Sequence, residues 1–410
     1  MKDWFKYIVA AVAGLALVII LPDTESAQYI LSSGAEIFQN IGTYLLVPFV
    51  LISFSSGIAA LRRQKQAAGT LFYTLMWGVI ASVALTLVGG LVAWVVIPAN
   101  FSGVAGTASV SAVELPAFPD FLQGIFNRNF FALFVSPTAL LPATVLALLL
   151  GIVLRPNEDY IRPAFAVMNS FSEVFYRLAA IVTEIMILGV VFISAVWFGA
   201  ALTSGVIQDS MLLVVLLLTA TALAVFLILP LLLLFIGKTR KPFTWLFALT
   251  APAIIGWFSG SAYTAHTTLM LHTRSNLGAA KRVSSTSAPL LLILGRSGTA
   301  MISVITICSL YATVNGEALK FVQLLLAMVF SVLFSFTVSL TPGLEILLVV
   351  TMSGKLLGID LASSLPIILP MLPFLAGAAA LVDTVSAGFG AGSVSRIQQA
   401  HSPVKARDFL

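Results

Sequence analysis

Two short polar stretches interrupt apolar segments in the C-terminal part of this 410-residue chain: Ser259-Gly260-Ser261-Ala262-Tyr263-Thr264 and Ser339-Leu340-Thr341-Pro342-Gly343. Glycine and proline break helices, and hydroxyls beside the freed backbone groups offer donors and acceptors together. That is chemistry for holding a solute, not for making bonds. Arg296 and Asp383 also stand in apolar surroundings. An isolated charge there costs several kcal/mol, so such groups pair and mark function. Three more groups could carry a proton. Glu345 follows the second stretch, where it could also gate. His266 follows the first, and its imidazole titrates near neutral pH. Glu184 lies on a long apolar segment, with a satisfied carboxyl as the plainer reading. Glu173 and Arg177, four apart with the acid first, predict a helix ion pair. His272 and His401 have no second ligand at metal spacing, and no nucleophile–base set is present, so an enzyme is not expected. The lone Cys308 excludes a disulfide framework, a thiolate metal site and a redox pair.

Composition says what must surround these groups. Hydrophobic residues make up 60% of the chain and charged residues 9%, and the mean hydropathy is +1.07. Charged groups must cover water-facing surface, and 21 Lys and Arg with 16 Asp and Glu cannot clothe a soluble globule of this size. The chain therefore reads as an all-α polytopic membrane protein, with room for roughly eight or more spans of ~20 apolar residues. A net charge of +5 is no sign of a nucleic-acid partner here, because the basic residues gather at the ends of apolar runs. Residues 1–22 have a basic start and an apolar run but no small-residue cleavage site, which predicts a retained first helix.

Apolar length predicts helices over 5–21, 35–61, 69–98 and 137–154. An amphipathic piece at 121–134 precedes the last of these. Residues 162–206 read as helical with a break, and 209–237 as one long helix. Lys2 and Lys6, Arg62, Arg63 and Lys65, Arg155 and Arg162, Lys238, Arg240 and Lys241, Arg274, Lys281 and Arg282, and finally Arg396, Lys405 and Arg407 fall on alternate loops. The positive-inside rule then places both termini in the cytoplasm of an inner or plasma membrane. It also requires residues 241–274 to enter and return on one side, although two spans of ~20 residues do not fit there. A re-entrant hairpin does, followed by a spanning helix at 286–313. The same logic gives a second hairpin at 318–357, entering from outside, and a spanning helix at 361–395. Hairpin and helix repeated with opposite orientation form an inverted repeat, and paired interruptions of this kind point to a transporter's binding site.

At these residues the chain resembles the dicarboxylate/amino acid:cation symporters, the glutamate-transporter fold. Leu46-Val-Pro-Phe-Val-Leu-Ile-Ser-Phe-Ser-Ser-Gly-Ile-Ala-Ala-Leu61 is similar to that family's second helix. Leu141-Pro-Ala-Thr-Val-Leu-Ala-Leu-Leu-Leu-Gly-Ile-Val-Leu154 is similar to the start of its fourth. Gly295-Arg-Ser-Gly-Thr-Ala300 falls on its Asn-Met-Asp-Gly-Thr motif, and Leu340-Thr-Pro-Gly343 on its Val-Pro-Gly. The resemblance implies eight transmembrane helices plus two re-entrant hairpins, arranged as a homotrimer of elevator-type transporters. Residues 1–240 would be mainly the trimerising scaffold, with the third and sixth helices moving. Residues 241–395 would be the transport core and 396–410 a cytoplasmic tail. Substrate would sit among Ser259, Gly260, Ser261, Tyr263, Thr264, Arg296, Thr299, Thr341, Pro342, Gly343 and Asp383. Sodium would fall at Gly295, Ser297 and Asp383.

The departures from the family fall on its chemistry. The motif's sodium-binding Asn and Asp are Gly295 and Ser297 here, and its Met is Arg296. A hard cation would lose most of its anionic oxygen ligands. With the last helix anchored on Gly390-Ala391-Gly392, the family's four polar positions read Ala376, Ala379, Asp383 and Ala387. A short insertion upstream would instead set Asp383 on the amine-binding aspartate, with no arginine after it. Three readings of Arg296 stay open: it pairs with Asp383 as a built-in cation, it grips a substrate carboxylate with its planar fork, or it forms a purely structural bridge. The expected function is secondary transport of a small organic anion, such as a dicarboxylate or amino acid. Sodium coupling is weakened, and a proton is the other candidate coupling ion. The alternatives are a sodium-independent or proton-coupled carrier of another small solute, or a transport-dead fold kept for interaction.

Overall fold

The computed structural model describes residues 2–21, 24–96, 129, 131, 140–155, 157–203, 210–239, 241–336, 342–358 and 369–410. Among them no strand forms, only an isolated bridge between Ala279 and His401. Apolar runs become helices: α1 Asp3–Ile20, α2 Glu25–Arg63, α3 Ala67–Val96, α4 Leu140–Val153, α5 Arg162–Thr203 and α6 Met211–Phe235. The C-terminal part is made of shorter pieces. These are α7 Pro242–Ala248, α8 Thr250–Ser259, α9 His266–Ser275, α10 Lys281–Leu294, α11 Ser297–Asn315, α12 Phe321–Phe334, α13 Leu344–Leu357 and α14 Leu372–Ile397. Counting α10 and α11 as one span, seven helices among the described residues are long and apolar enough to cross a membrane. The chain is thus a multi-pass membrane protein.

Three expectations need correction. Residues 162–206 were expected to break, but α5 runs unbroken from Arg162 to Thr203. The helix expected at 35–61 begins at Glu25, and a π-helical turn at Val50–Phe54 lies within it. The single helix expected at 286–313 is two helices, α10 and α11, parted at Gly295 and Arg296. A second π-turn at Ala224–Ile228 precedes Pro230 in α6. Proline lacks the N–H that would bond four residues back and its ring crowds that carbonyl, so the ladder loosens there. The amphipathic piece at 121–134 falls almost wholly outside the described residues, and so does the beginning of the last helix expected at 361–395.

Burial orders the helices. The most apolar stretch of α10–α11 is 94% buried and that of the last helix 83%, against 22% for α1. α10, α11 and α14 are therefore the centre, and α1, α3 and α5 belong to the wall. Trp77 of α3 ties wall to centre. Its Nε1–H donates to the Ser386 carbonyl at 3.0 Å, and Gly390 leaves room for its ring, where a Cβ would lie 2.5 Å from Trp77 Cδ1. Trp77→Phe removes the donor and part of that packing. It should lower stability by about 1–2 kcal/mol, read as a lower thermal midpoint in detergent. An unchanged midpoint would show that this bond contributes nothing net.

Candidate functional site

The break in α10–α11 positions the site. Gly295 and Arg296 leave the helical region at ψ 40° and 58°, with Arg296 as the residue capping α11. The first amides of any helix have no partner within it. Here those of Gly298 and Thr299 both point at Oδ1 of Asp383, from α14, at 2.6 and 3.3 Å. A carboxylate at a helix N-terminus also complements the helix dipole. The other oxygen of Asp383, Oδ2, accepts from the Thr299 hydroxyl at 2.7 Å and from Arg296 Nε at 3.0 Å. Asp383 is thereby engaged by four donors from one helix start.

Arg296 is 1% exposed and turns back over this cap. Its Nε and Nη2 donate to Thr299 Oγ1 at 3.3 and 2.9 Å. Nη2 also donates to Glu345 Oε1 at 2.7 Å. Glu345 sits in the first turn of α13 and is 3% exposed. The ring of Tyr263, in the turn between α8 and α9, lies 4.9 Å from the guanidinium carbon, within cation–π range. One arginine thus gathers the last helix, the turn between α8 and α9, and the first turn of α13. The ion pair itself leaves two polar atoms over: among the described residues, Arg296 Nη1 and Glu345 Oε2 are buried with no hydrogen-bond partner.

The remaining expected residues separate. Ser259 serves its own turn, its Oγ accepting from the Ser261 N–H at 3.3 Å. Gly260 is left-handed at φ 62° and packs on the last helix, where a Cβ would lie 2.9 Å from Ala376 Cβ. Ser261, Tyr263 and Thr264 have buried hydroxyls with no partner among the described residues, and Ser297 is the same. Pro342 is partly buried, and Gly343 is left-handed at φ 77° ahead of α13. Thr341 lies outside the described residues, as do Ser339 and Leu340. Among those described, no group of three His, Cys, Asp or Glu could hold a metal ion.

Other charges also find their places. The helix pair expected between Glu173 and Arg177 gives way to a longer reach. Glu173 takes Arg274 in a fork at 3.1 and 3.3 Å and Lys281 at 3.1 Å. Glu184 is paired with Lys6 at 2.6 Å on an exposed face. His266 is buried edge-on to Phe49, with no partner for either ring nitrogen among the described residues. Arg296 and Asp383 pair as one of the three readings of the arginine expects, and Glu345 joins them as a second carboxylate. Its signal was Glu345 standing two residues after a helix-starting glycine.

Comparison with known proteins agrees with the architecture. Residues 4–397 match the profile of the sodium:dicarboxylate symporter family. The C4-dicarboxylate transport protein of Pseudomonas syringae pv. syringae (strain B728a) is 24% identical over 231 residues, covering 54% of this chain and 50% of that protein. That of Pseudomonas fluorescens (strain SBW25) is 22% identical over 219 residues, covering 52% and 48%. The matched stretch spans about half the length of these curated relatives.

Proposed function

Because the chain belongs to the sodium:dicarboxylate symporter family, we propose that it is a secondary carrier of a small organic carboxylate whose grip on that carboxylate is Arg296. Membership sets it among transporters and outside the enzymes. The observation that supports the reading is the unpartnered Arg296 Nη1, buried in the core of a membrane protein. A guanidinium presents five donors in a planar fork that matches a carboxylate, and leaving one buried donor unpaired is costly. The ring face of Tyr263 lies against the same guanidinium.

Coupling follows from the same charges. Gly295 has no side chain, Ser297 is uncharged, and Asp383 already accepts from four donors. Arg296 brings a fixed positive charge to where the family's motif has its sodium ligands, so this carrier runs without sodium. The helix pairs α7–α8 with α9, and α12 with α13, act as the two re-entrant hairpins of an elevator. Both termini are cytoplasmic, as the distribution of lysine and arginine implies, and the protein is a homotrimer, as the family resemblance implies.

The test is the melting temperature of the purified protein with acetate, succinate or aspartate, each as the sodium, potassium and choline salt. A ligand that binds the folded state alone raises it by mass action. The expected result is a rise with at least one carboxylate that is equal in sodium and choline. A rise that requires sodium removes the sodium-independent part of the reading. No rise with any of them removes the carboxylate.

A further inference from the structure

The Arg296–Glu345 contact is a half-made fork. A guanidinium can offer a carboxylate two parallel N–H groups from its Nη1 and Nη2. Glu345 takes only one of them, through Oε1 at 2.7 Å from Nη2. Its own Oε2 and the neighbouring Nη1 are both buried, and neither has a partner among the described residues. Asp383 shows no such shortfall, because both its oxygens are filled by donors of α11. The two acids on one arginine are therefore not equivalent. Asp383 is a fixed part of the helix start, and Glu345 is a loosely fitting occupant of the outer face of the fork.

The backbone agrees. Glu345 lies in the first turn of α13, just beyond Gly343, whose left-handed φ of 77° only glycine adopts without strain. Arg296 and Asp383 belong instead to the deeply buried helices. With Arg296 1% and Glu345 3% exposed, nothing reaches the fork unless one of its covers moves. Of the covers that carry a carboxylate, Asp383 is held by four donors and Glu345 by the single bond from Nη2.

We propose that the Glu345 carboxylate is a tethered stand-in for the substrate's: it holds the outer face of the Arg296 fork until an incoming carboxylate displaces it by making both bonds. This rests on the reading of Arg296 as the carboxylate grip. It adds a specificity rule, since a solute without a carboxylate cannot displace Glu345. It also adds a link between binding and motion, since displacement frees the start of α13. A site occupied from within binds its ligand more weakly by the fraction of time it is free.

The test measures apparent Kd from ligand-dependent melting of the full chain, in wild type, Glu345→Gln, Glu345→Ala and Arg296→Lys, with acetate, succinate and neutral acetamide as probes. Removing the tethered charge should tighten acetate and succinate about tenfold or more, the gain expected if Glu345 holds the fork at least nine-tenths of the time, and leave acetamide unmoved. Equal or weaker carboxylate binding in both Glu345 variants, with binding still lost in Arg296→Lys, overturns the displacement and leaves the arginine grip standing. Carboxylate binding that survives undiminished in Arg296→Lys overturns both readings. So does the absence of binding in every form, including the Glu345 variants. Glu345→Ala guards against the amide of Gln rebuilding the contact.

Discussion

Arg296→Met should destabilise the protein by about 3–5 kcal/mol and abolish its melting response to carboxylates. Removing one partner of a buried ion pair leaves the other charge uncompensated, and that penalty, rather than the worth of the pair, sets the size of the effect. Here two acids are left behind, Asp383 and Glu345, at 1% and 3% exposure. Methionine fills much of the arginine's volume, so packing loss is a minor part. The distinguishing measurement is a series. Arg296→Met with Asp383→Asn should recover only part of the loss, because Glu345 still faces an apolar neighbour. Adding Glu345→Gln should recover most of the remainder. Full recovery in the double variant would mean that Glu345 is not charged against Arg296 at all, and the three-charge arrangement would have to be abandoned. Chemical shape limits recovery, since the Gly298 and Thr299 amides that now meet Asp383 Oδ1 would face an asparagine. That neutral oxygen accepts from them more weakly than a carboxylate does.

Much of this arrangement was legible in the residues. A charge in an apolar segment must find a partner, and Arg296 and Asp383 stand out in the sequence as two such charges of opposite sign. Polarity alone did not say which further acid would turn inward. Glu184 and Glu345 look alike in sequence, yet Glu184 stands on an exposed face against Lys6 and Glu345 lies under the arginine. That choice depends on packing between elements far apart in the chain. The break at Gly295 was hidden for a different reason. The apolar length carries through it, and a glycine inside a helical pattern is usually tolerated. Along α5 the same ambiguity ran the other way. Gly189 there makes room rather than a break, since a Cβ would lie 2.9 Å from Phe38 Cβ in α2. The start of α2 was missed because Glu25–Tyr44 is rich in Ser, Gln and Asn. Its helix rests on packing against α5, as at Gly34, where a Cβ would lie 2.5 Å from Phe192 Cδ1.

Gly298→Ala should be strongly disruptive for a single-methyl change. In a helix this substitution ordinarily helps, by roughly 0.5–1 kcal/mol, because alanine loses less backbone freedom. At Gly298 the added Cβ would lie 2.3 Å from the Ala379 carbonyl oxygen, 2.7 Å from Val382 Cβ and 2.9 Å from the Asp383 amide nitrogen. Two of these are backbone atoms of α14 and cannot swing aside, so α11 and α14 must part. Overpacking of this kind costs about 1–3 kcal/mol. Parting the helices also lengthens the 2.6 Å bond from the Gly298 amide to Asp383, and a lost helix cap costs about 1 kcal/mol more. The functional loss should exceed the stability loss, because Asp383 is what holds Arg296 Nε at 3.0 Å. Carboxylate-induced stabilisation is expected to vanish while the variant still folds. Gly199→Ala is the control: a Cβ there meets nothing within 4 Å among the described residues, and that variant should melt at or above the wild-type temperature. If Gly298→Ala matched it, the contact between α11 and α14 would be looser than these distances require. Asp383 could not then be the part that fixes the arginine.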